Sequence, residues 1–332
     1  MTHHSTWKVG INIDGAMNHD GELSPSLEQQ FGLIREHFDY VEKTLHAHES
    51  LEPWLTASSD FDVPIEVLGG IFQPGEDDAR CLETLRLAKA HSIPIVNCQI
   101  RPPLGRSEDA DLESIGRLYL RMLEQADGST LPCLEPHVDM WLERFERVAA
   151  LGCWLAARGA PLHLTIDHSH LIYRIDNLEQ LQAAGIDTLE AGRRLLSPDS
   201  ASAFYRQWQS KHWISHAHAR CVQVNAPPNT RMERRAGLPG RGIQYPIRQP
   251  LDDPDWIAWD ESQCTPWKRA VDIMLQWRAE HPDMLLRRIS CEFIPYPDYG
   301  GGSRYSLIEQ NMACAEWLRA RIAQVGAATQ AT

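Results

Sequence analysis

No Cys-x-x-Cys pair occurs in the chain although it holds 8 cysteines, so neither a zinc knuckle nor a dithiol redox motif is spelled out. Cys81, Cys98, Cys133, Cys153, Cys221, Cys264, Cys291 and Cys314 are scattered, and 332 residues need no disulfide framework to complete a core. They read as reduced thiols, most of them small buried hydrophobes. A run of about 18 apolar residues is missing too, and the opening MTHHSTWKVG has none of the apolar stretch of a signal peptide. The expectation is a cytoplasmic protein with no membrane partner. Positive charge is in short supply: 32 Lys and Arg stand against 45 Asp and Glu, a formal charge of −13. That balance opposes a broad electrostatic grip on nucleic acid and leaves small molecules as the natural partners. Gly10-Ile11-Asn12-Ile13-Asp14-Gly15 is not Gly-x-Gly-x-x-Gly, so a dinucleotide-binding, doubly wound sheet lacks its signature.

What is present is apolar material, 43% of residues, enough for a large core and too much for a disordered chain. Strand signals recur near Lys8–Ile13, Asp39–Lys43, Ile65–Leu68, Ile93–Ile100, Leu131–Glu135, Leu162–Asp167, Trp213–Ala219 and Arg288–Ile294. Helix-period segments lie between them. One begins at Ser24-Pro25 with Leu27, Phe31, Ile34 and Phe38 on a face, another at Thr265-Pro266 with Trp267, Val271, Met274 and Trp277. Strand-then-helix alternation demands parallel strands with crossover helices, and eight units of about 31 residues make a (β/α)8 TIM barrel of about 250. The spacing predicts one domain over residues 1–332 with a long loop insertion at about 220–264, after the seventh strand. That stretch carries Pro227-Pro228, Arg231, Arg234, Arg235, Arg241 and the run Asp252-Asp253-Pro254-Asp255-Trp256, with no sustained helical or strand period. A lid or a plain surface excursion would both account for it. The tail from Val325 to Thr332 is expected to fray.

Polar residues gather at the ends of the last four strands: Glu135 in LPCLEPHVD, Asp167 in LHLTIDHSH, His216 and His218 in WISHAHAR, Glu292 in RISCEFIP. Alternation sends Leu131, Cys133 and Glu135 to one side of a strand, and His163, Thr165 and Asp167 to one side of another. The carboxylate comes last each time. In a barrel these ends converge on one mouth, where three carboxylates need a compensating cation. Gln99 and Glu42 also sit near strand ends, where they either touch substrate or complete hydrogen-bond networks. Trp54, Trp256, Trp259 and Trp267 are candidates to stack on a sugar face or to fill the core. Gly300-Gly301-Gly302 precedes a helix, a setting for phosphate or for a flexible turn.

The pattern resembles the xylose-isomerase-like TIM barrels, the sugar isomerase/epimerase superfamily of ketose 3-epimerases, hydroxypyruvate isomerases and inosose dehydratases. The resemblance implies that Glu135, Asp167, His218 and Glu292 bind one divalent metal. His218 is preferred to His216 because the family strand often reads His-x-His-x-Lys, here His216-Ala217-His218-Ala219-Arg220. The family's Asp-x-x-His matches Asp167 to His170 and its Glu-x-His matches Glu135-Pro136-His137, which implies substrate contacts for His170 and His137, with His216 and Arg220 beside them. Departures exist. Cys221 stands where an acidic residue commonly follows the His-x-Lys unit, and Val224 stands where ketose 3-epimerases carry arginine. The extra histidines of apurinic endonucleases are missing from IEVLGGIFQPG and IPIVNCQIRPP.

The expected function is a sugar, polyol or keto-sugar isomerase or epimerase working through a metal-stabilised enediolate, with Glu135 and Glu292 as the proton-transfer pair. Mn2+ or Mg2+ suits such oxygen-rich ligation with one imidazole, and Co2+ or Zn2+ also fits. A lyase, either a dehydratase or a C-glycoside-type β-elimination enzyme, is the main alternative, and a non-catalytic sugar-binding subunit is the third. The family's frequent dimers and tetramers leave a homo-oligomer open.

Overall fold

The computed structural model describes residues 7–19, 23–105, 108–251, 259–300 and 304–330. Short, β-branched runs form the strands β1 (Lys8–Asn12), β2 (Val41–Thr44), β3 (Ile65–Phe72), β4 (Ile95–Ile100), β5 (Leu131–Leu134), β6 (Leu164–Asp167) and β7 (Ile214–Ala219). A hairpin follows, β8 (Asn229–Arg235) and β9 (Leu238–Gly240), and then β10 (Arg288–Cys291). All but the hairpin belong to a closed parallel barrel in the order β1-β10-β7-β6-β5-β4-β3-β2. Because parallel neighbours need a crossover, helices run outside: α1 (Leu27–Ile34), α2 (Glu52–Phe61), α3 (Asp78–Ala90), α4 (Glu108–Ala126) and α5 (Glu146–Ala156). The set is completed by α6 (Ser169–Ile172), α7 (Leu178–Ala183), α8 (Leu189–Leu196), α9 (Phe204–Ser210), α10 (Thr265–Glu280) and α11 (Leu307–Gln330). This is the TIM barrel that the alternation predicts.

The main core lies between strands and helices, with Phe31, Ile34, Leu85, Val148, Trp267 and Leu318 among its buried members. Inside the barrel Tyr40, Val67, Ile95 and Cys133 form a separate layer. Tyr40 fits because Gly10 on β1 has no side chain, where a methyl group would overlap the ring. Its hydroxyl bonds Ser290 Oγ at 3.0 Å. This layer closes the barrel interior beneath the polar residues of its upper end.

Four expectations are corrected. α1 starts at Leu27, because Ser26 caps it reciprocally with Gln29, and it ends at Ile34, leaving Phe38 buried beyond the helix. The 220–264 segment is not without strand, since β8 and β9 pair antiparallel around Gly237, whose φ of +75° makes the turn. Four helices, α6 to α9, stand between β6 and β7 where a single crossover would do. The tail does not fray at Val325, because α11 continues to Gln330. Trp256, the acidic run before it, Gly301 and Gly302 lie outside the described residues. Among those described, no helix is long and apolar enough to cross a membrane, and seven of the eight cysteines are buried and all are free.

Candidate metal centre

Strand register sets the height of each polar side chain. Asp167 lies beside His218 in the β6–β7 pair. Glu135 and Glu292 each stand one residue past their strands, with Glu135 N–H donating to Cys98 O at 3.1 Å and Glu292 N–H to Ala219 O at 3.0 Å. Ligand atoms of Glu135, Asp167, His218 and Glu292 consequently lie within 4.8 Å of one another, all four residues buried. Ligand atoms about 2.0–2.6 Å from a common divalent cation would be separated by no more than about 4–5 Å, so the grouping matches such an ion.

His218 is the hub. Its Nε2 is 3.0 Å from both carboxylate oxygens of Glu42, while Nδ1 faces Glu135 Oε1 at 3.3 Å and Glu292 Oε2 at 3.1 Å. Burial alone would lower the imidazole pKa, but Glu292, Glu42 and Glu135 together hold it well above its ordinary value. Burial likewise opposes ionisation of Glu135 and Glu292, yet His218 keeps both below the usual carboxylate range, helped by Asn97 at Glu135 and by Arg220 at Glu292. Asp167 goes the other way: burial and the Glu292 charge raise it despite Arg220.

The charge balance tests whether a cation belongs here. Four buried carboxylates, Glu42, Glu135, Asp167 and Glu292, meet one guanidinium, Arg220, and one imidazole, His218. Even with the imidazole protonated, two negative charges stay uncompensated within the group. Glu292 Oε2 is buried and has no hydrogen-bond donor aligned on it. A divalent ion facing Nδ1 would neutralise that excess and leave Nε2–H on Glu42, so the residues fit the ion.

Asn12, Asn97 and Gln99 hold the glutamates in place. Asn12 Nδ2 donates to Glu292 Oε1 at 3.1 Å, and Asn97 Nδ2 and Gln99 Nε2 donate to Glu135 Oε2 at 2.8 and 2.9 Å. Arg220 is fully buried, pairs with Asp167, accepts the Tyr299 ring 4.0 Å from its guanidinium carbon and lies 3.2 Å from His170 Nε2. His170 is buried with Nδ1 unpartnered, and burial keeps it neutral, well below the usual imidazole pKa. His216 sits one layer lower, its nitrogens on Thr165 Oγ1 and Ser290 Oγ, and burial lowers its pKa to about 3.

A cavity of about 250 Å3 opens beside this group. Glu42, Gln99, His137 and Glu292 border it, whereas Glu135, His170, His216 and Arg220 do not. His137 Nε2 bonds the Tyr299 hydroxyl at 2.8 Å at the cavity wall. Sequence reasoning missed Asn12, Asn97 and Tyr299. Asn97 was readable as the residue two before Gln99, on the same side of β4. No tryptophan among the described residues borders the cavity: Trp267 is core, Trp54 stacks under Lys43 and Trp259 bonds Pro246 O.

No family model matches the chain, and no curated protein does. Solved structures do. A xylose isomerase-like TIM barrel protein from Mycobacterium smegmatis in complex with magnesium is 12% identical, with 98% of this chain and 100% of that one covered at a TM-score of 0.56. The probable 3-DHS dehydratase AsbF of Bacillus anthracis is 12% identical, covering 95% and 99% at 0.51. A D-allulose 3-epimerase from Methylomonas sp. is 12% identical, covering 97% and 100% at 0.50. Identity this low speaks for architecture, not for activity, and on architecture the matches agree: the chain has the xylose isomerase-like TIM-barrel fold.

Proposed function

We propose that the chain is a divalent-metal-dependent enzyme that moves a proton beside the carbonyl of a sugar, polyol or keto-sugar, in the manner of an isomerase or epimerase. The observation that carries this is the gathering of Glu135, Asp167, His218 and Glu292 around one point. These four would hold the ion, with Mn2+ or Mg2+ the best fit to three carboxylates and one imidazole. When bound, the ion supplies Lewis acidity toward a carbonyl oxygen. The protein supplies the rest. Glu292 borders the cavity and is ionised, with Oε1 fixed by Asn12, so it is the group placed to take a proton from carbon. Glu135, locked by Asn97 and Gln99 on the other side of His218 and outside the cavity lining, is the second carboxylate of the pair. It would return a proton from its protonated form, the proton coming from solvent because the group is ionised at rest. Gln99 and His137 border the same space and would hold substrate hydroxyls.

A second reading, a lyase, draws on the Tyr299 hydroxyl hydrogen-bonded to His137 at the cavity wall, a pair able to protonate a leaving group. Product mass separates the two: isomerisation leaves it unchanged and dehydration removes water.

Glu292→Gln and Glu135→Gln should each lower turnover by roughly 10²-fold or more, the usual scale of acid/base catalysis, with metal content measured in each variant. Stripping the metal should abolish turnover, and adding Mn2+ back should restore it. If both metal-loaded variants exchange the substrate's α-proton with D2O at the wild-type rate, the proton-transfer proposal is wrong.

A further inference from the structure

The cavity joins a polar floor to two apolar walls. Asn12, Asn97, Gln99 and Glu292 form its floor at the candidate metal group. Two apolar walls face each other from opposite sides of the barrel, Ile71 on β3 level with Gln99 and Val138 and Met140 beyond β5, and Ile294 and Tyr296 beyond β10. Val138 and Ile294 are buried and Ile71, Met140 and Tyr296 half-buried, so these are walls and not a solvated rim. Polar side chains between and above the walls are engaged with one another, His137 with Tyr299 and both Asp139 and Asp298 with Arg241, and Glu233 and Arg234 border the space where the hairpin crosses.

A free monosaccharide carries oxygen on every carbon. Its outer hydroxyls would meet Ile71, Val138 and Met140 and lose the hydrogen bonds they make in water. Apolar surface gains by entering the same space, and a slot between two walls selects a flat group. Size agrees: a cavity of roughly 150 Å3 accepts benzene, so about 250 Å3 holds a six-membered ring together with the part of a sugar that reaches the floor.

We propose that the substrate is a sugar bearing a ring-sized apolar substituent, in its simplest form an aryl glycoside, with the sugar on Asn97, Gln99 and Glu292 and the ring between Met140 and Tyr296. The sugar end rests on the metal-dependent reading given above, whereas the substituent follows from the walls.

The test is calorimetric titration of Mn2+-loaded protein with phenyl and methyl 3-keto-β-D-glucopyranoside, which differ only in the substituent. The phenyl compound should bind at least about tenfold more tightly, a modest share of what several buried carbons supply. Met140→Asp, and Ile71→Thr should Met140→Asp not fold, should reduce that preference to about twofold or less. Equal affinities, binding of neither compound, or a preference untouched in a folded variant would overturn the inference. Mn2+ affinity, measured separately on the same protein, keeps the two proposals apart. Metal binding with no phenyl preference sinks the substrate class alone, and phenyl preference without metal binding supports the substrate class and sinks the metal reading.

Discussion

Glu42 accepts the Nε2 proton of His218 with both carboxylate oxygens, and that bond leaves Nδ1 facing Glu135 and Glu292. A carboxylate behind a ligating histidine fixes its tautomer and orientation. Glu42→Gln should weaken Mn2+ binding about 10- to 100-fold, read by calorimetry, and unchanged affinity would reduce Glu42 to a wall of the cavity. Sequence reading placed Glu42 near a strand end and left open whether it met substrate or a hydrogen-bond network. Period-two alternation could mark it as inward-facing but not reveal a partner 176 residues away. The same rule exposed Glu135, Asp167 and Glu292, because a charged residue closing an apolar strand stands out; it left His216 and His218 both inward, and only the family resemblance chose His218, while Asn12 and Asn97 stayed hidden, since an amide gains meaning only from what it bonds. His163 shows how burial converts into pH dependence. Desolvation lowers its pKa from the ordinary imidazole value of 6.5, so below pH 6.5 the unfolded chain takes up a proton that the native one refuses. Stability from this group is complete above pH 6.5 and falls as pH drops toward the depressed native pKa, by up to about 1.4 kcal/mol per pH unit. Unfolding curves between pH 7 and 5 should therefore be flatter for His163→Asn than for the parent.

At the scale of elements, the hairpin β8–β9 is where the sequence said least. Asn229–Arg235 is almost wholly polar, and its pairing depends on a two-residue turn, Ala236-Gly237, that composition alone cannot distinguish from loop. Tertiary contacts hold it. Asn229 Nδ2 donates to Tyr299 O at 2.6 Å, and Gly240 packs so closely on the Pro297 carbonyl that a side chain would not fit. Just past the hairpin, Arg241 bridges Asp139 and Asp298, from the loops after β5 and β10. The hairpin thereby crosses the mouth with Glu233 and Arg234 on the cavity, the arrangement a lid requires. Replacing residues 231–238 by a Gly-Gly turn should raise KM about tenfold or more by loosening substrate placement, while Mn2+ affinity stays at the parental value because no ligand is touched. An unchanged KM would return the hairpin to a surface excursion. By contrast the start of α10 was readable to the residue, since Thr265-Pro266 opens it and Trp267, Val271 and Met274 repeat along one buried face.

The whole molecule divides its labour between the two ends of the barrel. At the upper end four carboxylates are held close together, which costs folding energy unless a cation joins them. At the lower end a single carboxylate serves two cations: Glu66 on β3 pairs with Lys8 at the start of β1 and with Arg288 at the start of β10. Glu66 is buried, with 8% of its surface exposed, so these pairs tie three strands beneath the Tyr40 layer where solvent screens them only in part. The eight-strand order was legible because hydrophobic period and helix spacing both follow from the β/α repeat, but an ionic tie between residues 8, 66 and 288 needs the closed barrel to exist. Glu66→Gln keeps the shape and removes the charge. It should lower unfolding free energy by about 1–3 kcal/mol, less than for a fully buried pair because Lys8 is 42% exposed along its side chain. The loss should shrink as salt is added, since an exposed lysine is screened within about 10 Å at 0.1 M. Mn2+ affinity should not change, because Glu66 lies at the barrel's other end from the ligand group. If denaturant curves of the variant overlay the parent, the lower ion pairs contribute nothing measurable. If metal affinity falls with stability, the two ends are coupled and the division of labour is wrong.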